Sequence, residues 1–373
     1  MFQDNTNYHQ EISNTANKTL DTDDNWVKKI WAWADEFELL DSEVPRHKEA
    51  LLAIKKLEIL EPEGDQQHSR NVYRMDYIPD ELTNLTNLTE INISGIKASR
   101  LPQNIGVLSN LTKLSIRHSN LVALPDSIGQ LTNLTELFID ESKLEKLPDS
   151  IGQLTNLNKL FISRCKLRCL PDSFGQLSNL TELDLIDCEL TALPYSIGQL
   201  TKLTKLFLNN GKFKNLPDSI GQLSNLTQLD LIHCAFRHLP DSIGQLHNLT
   251  EFFISHCPLQ QLPTNIGQLL NLNKLDLINC NLKGLPDSIG QLTNLTELNL
   301  IHCHLESFPD SIHQLTSLTK LNFTDCGLRE LPESFLQLTT LEWVNFNGNP
   351  LDNLSTPILD YLLAINTVYG LGR

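Results

Sequence analysis

The sequence predicts an α/β solenoid: a parallel sheet along a concave face, short helical or 3-10 segments behind it, and a helical cap at each end. Two observations carry this. Proline recurs every 23 residues from Pro79 through Pro102 and Pro125 to Pro332, with no slip in register. A fixed period of that size means stacked units, none of which buries its own apolar face alone. Within each unit, apolar residues first alternate as in a half-buried strand and then recur on one side of a turn.

Residues 134–156, LTELFIDESKLEKLPDSIGQLTN, show one unit. Leu134, Leu137, Ile139 and Leu144 fill the apolar places of L-x-x-L-x-L-x-x-N/C-x-L. Leu137 and Ile139 alternate with Glu136, Phe138 and Asp140, so one strand face is buried and the other open. Leu147 and Pro148 close the loop that leaves the strand. Asp149 and Ser150 suit the start of a helical turn, because their oxygens accept otherwise unpaired N–H groups. Ile151 and Leu154 then face inward. Gly152 recurs at the same interval, which implies either a close backbone approach or a positive φ.

The block LPDSIGQLTNLTEL resembles the 23-residue leucine-rich repeats of bacterial proteins and of plant intracellular and animal Ras-associated scaffolds. The resemblance covers roughly residues 54–351. It implies a right-handed arc whose concave sheet meets a partner protein, and by analogy alone a small GTPase as one candidate partner. One column departs from the common pattern, with Cys in most repeats where Asn is usual.

Four segments follow: a disordered polar leader (1–23), a helical cap (24–53), thirteen repeats (54–351) and a second helical cap (352–373). Trp26, Ile30, Trp33 and Phe37 recur at helical spacing and seal the first repeat. The first repeat carries an insertion within 61–76, where Arg70, Tyr73, Arg74 and Tyr77 either contact a partner or belong to a plain surface excursion. At the far end Thr356 suits an N-cap with Pro357 in the first turn. Ile358, Leu359, Leu362 and Leu363 are expected to face the last repeat.

The chain has 373 residues and a formal net charge of −16. Much of that charge is the Asp that follows the proline in many repeats, as at Asp126, Asp149, Asp172, Asp218, Asp241, Asp287 and Asp310, spread along the outer face, and no basic stripe suggests nucleic acid. The leader lacks the apolar core of a secretory signal, and no segment approaches membrane-spanning length, so no membrane role is expected. A cytoplasmic protein is the expectation; the alternative is a bacterial effector exported by a non-Sec route. Seven of the eight cysteines share one column that points inward between strand and loop, which reads as small buried thiols rather than disulfides; a metal site would also need C-x-x-C clustering, which is missing. The N-L-T triplets read as by-products of the repeat.

Three outward columns of the strands hold the candidate site. The first alternates Glu and Lys from Glu90 to Lys320, interrupted at Gln228, and reads as a register device. The second runs Phe138, Phe161, Asp184, Phe207, Asp230, Phe253, Asp276. The third holds Ile186, Ile232, Ile278 and Ile301, with Asn209 and Ser255 between. Exposed Phe and Ile interlaced with Asp read as an interaction surface; the alternative is a strand-favouring pattern copied by duplication of a 46-residue pair of repeats. A looser column contains His118, His233, His256 and His302, without a carboxylate pattern that singles out a metal site. No phosphate loop, nucleophile elbow or paired catalytic carboxylates occur. The function expected is therefore non-enzymatic protein binding, with no cofactor.

Overall fold

The computed structural model describes residues 24–60 and 71–371. The leader, positions 61–70 of the insertion (Arg70 among them) and the last two residues lie outside the described residues.

Helix α1 (Asn25–Glu36) and helix α2 (Lys48–Ala53) precede the repeats. Val27, Ile30, Trp33 and Ala34 are the buried stripe of α1, while Trp26 is only half-buried. Phe37 is buried just past the helix, whose end at Glu36 is followed by a left-handed backbone at Glu38 (φ 55°). No side chain caps the start of α1; the Asp24 carboxylate pairs with Lys48 of α2 instead.

The strands form one parallel sheet in strict chain order. They are β1 (Lys56–Ile59), β2 (Glu90–Ser94), β3 (Lys113–Arg117), β4 (Glu136–Asp140), β5 (Lys159–Ser163), β6 (Glu182–Asp184) and β7 (Lys205–Phe207). Then follow β8 (Gln228–Ile232), β9 (Glu251–Ser255), β10 (Lys274–Ile278), β11 (Glu297–Ile301), β12 (Lys320–Asn322) and β13 (Trp343–Asn345). Helix α3 (Thr356–Ala364) and a last strand, β14 (Thr367–Tyr369), close the stack. Strand β14 was not expected: its three residues fall outside the 23-residue pattern, and pairing with β13 gives the sheet its final edge.

Leu137, Ile139, Leu144, Ile151, Leu154 and Leu157 are all fully buried, and their equivalents join one continuous core along the stack. Behind each strand runs a 3-10 turn such as Asp149–Gln153. Its N-terminus has no side-chain cap, contrary to expectation; Asp149 contributes only negative charge at the positive end of the turn. The glycine question resolves as close approach. A Cβ on Gly152 would lie 2.3 Å from the Ser173 carbonyl oxygen of the next repeat, and its φ is not positive.

The N-L-T triplets are structural rather than incidental. Asn133 Nδ2 donates to the Ser109 carbonyl at 2.8 Å, Asn156 Nδ2 to that of Thr132 at 2.8 Å, and Thr135 Oγ1 to that of Thr112 at 3.0 Å. Two side chains per repeat thus satisfy backbone acceptors of the preceding repeat, which fixes the stacking register.

The C-terminal helix corrects one expectation. Ile358 and Leu362 are buried, but Leu359 and Leu363 are 39% and 66% exposed. The cap meets the last repeat through Ile358, Tyr361 and Leu362, with the Tyr361 ring edge-on to Phe335 at 6.2 Å, and the row of Leu359 and Leu363 faces outward. Its N-cap position is Ser355, with Thr356 already inside the helix.

Candidate functional site

Parallel pairing places the second outward column in register across neighbouring strands. Phe138 pairs with Phe161, Phe161 with Asp184, Asp184 with Phe207, Phe207 with Asp230, Asp230 with Phe253, and Phe253 with Asp276. All seven side chains are half-buried and outside the core, whereas Phe252, one residue earlier on β9, is fully buried within it. Strand alternation alone separates those two rings. The side chains are less exposed than the sequence suggests, because adjacent strands hold neighbours in contact: Phe138 and Phe161 stack with centroids 4.9 Å apart and planes 9° from parallel.

Ile232, Ile278 and Ile301 lie half-buried at the ends of β8, β10 and β11, with buried Ser255 paired between Ile232 and Ile278. Ile186 is also half-buried but lies two residues beyond β6, which ends at Asp184. The structure therefore brings the Phe/Asp ladder together completely and the isoleucine row less regularly.

The three ladder carboxylates have unusual surroundings. Burial pushes the Asp184 carboxyl up to about 6, against a hydrogen bond from the Ile186 N–H that lowers it, and Glu182, Asp140 and Asp187 raise it further. Burial likewise raises Asp230 and Asp276. Asp184 accepts from the Ile186 N–H at 3.1 Å, and Asp230 from Gln228 Nε2 at 3.2 Å. Among the described residues neither has an ion-pair partner. Asp276 differs: Lys274 Nζ lies 3.7 Å from its carboxylate and 5.3 Å from the centroid of the Phe253 ring. Sequence reasoning did not single out Lys274, because in its column it looks like every other Lys. At the other end Lys113 sits 5.1 Å from the Phe138 centroid.

The Glu/Lys column behaves as a register device. Lys113 and Glu136 are 3.0 Å apart, Lys274 and Glu297 3.3 Å, and Lys159 and Glu182 3.9 Å. At Gln228 the alternation breaks, and the strand bearing Asp230 has no lysine in this column.

The histidine column is the turn where the chain leaves each strand. His118, His233, His256 and His302 all have φ between 47° and 55°, as do Glu141, Arg164, Asp187, Asn210, Asn279 and Asp325 within a similar range up to 60°. Gly95 and Gly348 occupy the two ends of this column. His, Asn and Asp tolerate left-handed backbone better than most residues, which accounts for their enrichment here. His233 and His256 stack at 4.2 Å, and both ring nitrogens of His256 are engaged, by Ser255 and Asn279. Ligand atoms of His118, Asp140 and Glu141 lie within 4.8 Å of one another. The Arg164 guanidinium pairs with both of those carboxylates and supplies the positive charge that a metal would bring. Burial raises the Asp140 carboxyl, but hydrogen bonds from Ser163 and Arg164 outweigh it and hold the group below its ordinary value.

The cysteine column is buried, and its thiols donate to backbone carbonyls: Cys234 to Leu208 at 3.0 Å, Cys257 to Leu231 at 3.2 Å, Cys303 to Leu277 at 3.2 Å. Burial pushes the Cys303 thiol up to about 11 and Cys326 to about 12, so both are neutral thiols. Cys169, off the column, is exposed. Of the insertion's flank, Tyr77 is engaged by the cap, donating to Glu36 at 2.8 Å and packing edge-on against Phe37. Arg74 lies over the Tyr73 ring.

Family models described as leucine-rich repeat region and leucine-rich repeat match residues 69–169 and 159–255, and 271–292 and 294–315. The chain belongs to the leucine-rich repeat family. Curated proteins give no match. Among solved structures, a leucine-rich repeat protein of Leptospira interrogans is 28% identical, with a TM-score of 0.53 over 79% of this chain and 93% of that one. The plant peptide hormone receptor RGFR1 in complex with RGF2 is 24% identical, TM-score 0.60, over 88% of this chain and 61% of the receptor. The functional domain of InlJ from Listeria monocytogenes, which includes a cysteine ladder, is 20% identical, TM-score 0.58, over 81% and 65%. The last two likenesses are of fold alone. Leucine-rich repeat proteins are generally interaction scaffolds. No helix among the described residues is long and apolar enough to cross a membrane.

Proposed function

We propose that this protein is a non-enzymatic interaction module whose concave sheet docks a partner protein. Phe138, Phe161, Phe207 and Phe253 would provide the apolar contact, Asp184, Asp230 and Asp276 the polar orientation, and Ile186, Ile232, Ile278 and Ile301 the flank. The observation that carries this reading is the Phe/Asp ladder itself. It is half-buried, outside the core and in register over six strand pairings. The plant receptor of similar fold is a complex with RGF2, which supports a protein or peptide ligand. The buried free thiols of the cysteine column suit a reducing cytoplasm, the compartment we favour.

Affinity capture from an extract of the source cells tests this, with wild type beside the Phe161→Ala/Phe207→Ala/Phe253→Ala variant. The expected outcome is a partner retained by wild type and lost at least tenfold by the variant, whose melting curve is recorded alongside. Equal retention by both would remove the concave surface from consideration.

A further inference from the structure

This inference rests on the concave-face reading and concerns the chemistry of the partner. The ladder places two carboxylates in niches walled by aromatic rings: Asp184 between Phe161 and Phe207, and Asp230 between Phe207 and Phe253. Both carboxylates are half-buried, and no cation of the chain reaches either among the described residues. A partly desolvated carboxylate without a counter-charge is costly. A cation seated there would gain an ion pair and a favourable place over a ring face together.

A related place on the ladder is filled: Asp276, flanked by one ring, Phe253, and on the other side by Asn299, which donates to its carboxylate at 2.6 Å. Lys274 lies against both Phe253 and Asp276, 5.3 Å from the ring centroid and 3.7 Å from the carboxylate. It stands two residues before Asp276 on the same strand. The residue in the corresponding place before Asp230 is Gln228, which hydrogen-bonds that carboxylate at 3.2 Å but brings no charge. Before Asp184 it is Glu182, which adds negative charge instead. One ring and one carboxylate of the ladder thus already hold an ammonium at Asp276, while Asp184 and Asp230, each between two rings, have none among the described residues.

Spacing selects the conformation of what fills them. Asp184 and Asp230 are two strands apart, about 9.6 Å along the sheet at the usual strand separation. A polyproline II segment returns to the same face every third residue, after about 9.3 Å. An extended β segment returns to the same face after two residues, about 6.8 Å, which misses the second niche.

We propose that the ladder binds an extended, polyproline-like segment of the partner protein, with basic side chains at positions i and i+3 seated at Asp184 and Asp230. The segment crosses the strands roughly at right angles, and the shared ring of Phe207 lies between its two cations.

Fluorescence anisotropy with full-length protein tests this on synthetic peptides. The first is a labelled proline-rich heptapeptide with two arginines three positions apart. The second has the same composition with the arginines adjacent, the third replaces both arginines with neutral citrulline, and the fourth is helical with arginines seven positions apart. The expected order is at least tenfold tighter binding of the first peptide than of each other one. Asp184→Asn/Asp230→Asn should weaken it at least tenfold while melting no lower than wild type. Gln228→Lys, which supplies Asp230 with the occupant that Asp276 already has, should weaken it about threefold or more. Equal affinity for the spaced and adjacent arginines, preference for the helical peptide, no binding of any peptide, or indifference to both variants would each overturn the inference. A partner lost by the triple Phe variant yet retained by Asp184→Asn/Asp230→Asn would leave the concave-face reading standing and end this one.

Discussion

The two faces of the solenoid follow different rules. On the convex side Asp-Ser-Ile-Gly-Gln recurs almost unchanged, as at residues 126–130, 149–153, 218–222, 241–245 and 287–291. There the backbone of one repeat lies against the backbone of the next, and at Gly152 not even a methyl group fits. On the concave side the repeats from Phe161 to Asp276 switch between Phe and Asp at the same position, and the structure accommodates both because the side chain projects from the sheet. Where backbones meet, the repeat is fixed by packing. Where side chains meet solvent, the repeat is free to carry information, and that is where a partner would read it.

The sharpest way to break this comparison is Gly152→Ala. With its Cβ directed at the Ser173 carbonyl, the variant should lose about 3 kcal/mol or more in urea unfolding, as over-packed sites do. A loss below about 1 kcal/mol would mean that the convex face yields more easily than the contact implies. Phe207→Ala, on the other face, should change stability far less than it changes binding.

A second comparison lies within one column. Asn349 accepts from the Cys326 and Leu328 N–H groups at 3.1 and 3.0 Å and donates to the Phe323 and Phe346 carbonyls at 2.6 and 2.8 Å. Cys257, in the equivalent place, donates a weak thiol bond to Leu231 and accepts one from the Cys234 N–H at 3.3 Å. Asn349→Ala should therefore cost about 2–3 kcal/mol, through backbone groups left unpaired, and Cys257→Ala about 1 kcal/mol. Thermal melting of the two variants in reductant gives the ranking, and the reverse order would show that the thiol column does more than fill space.

The third test uses pH. Because the Asp184 carboxyl is raised to about 6 in the fold, from an ordinary 3.8, the folded state holds its proton to higher pH than the unfolded chain does. Stability contributed by this group falls as pH rises from about 4 to about 6 and is flat on either side. Asp184→Asn removes the penalty, so the variant should gain about 1–2 kcal/mol at pH 7, a figure reduced for solvent access, and nothing near pH 3.5. A pH-independent difference would mean that the carboxylate is not desolvated as described. Smallest of all, Lys113→Ala should cost no more than about 0.5 kcal/mol, and salt should shrink the difference further, since its pairing with Glu136 is at the surface.

Several features visible in the sequence acquired their meaning only when neighbouring repeats were in place. The Asn and Thr of N-L-T look incidental in one repeat, because their hydrogen-bond acceptors belong to the repeat before. The histidine column has no evident reason in the sequence, and the backbone supplies one: a left-handed turn that favours His, Asn and Asp. Leu359 and Leu363 fit a helical stripe as well as Ile358 and Leu362 do, and only the approach of α3 to the last repeat distinguishes the rows.

What the chain by itself determined was the stacking: period, strand alternation and the outward position of the Phe/Asp column follow from local geometry repeated without slippage. Tertiary structure decided which side chains meet across repeats, and hence that Lys274 is seated against the Phe253 ring of the preceding strand while Asp184 and Asp230 have no ion-pair partner among the described residues. The reason is physical. Periodicity sets direction, but contact and desolvation depend on groups 23 or 46 residues away that only the folded stack brings together.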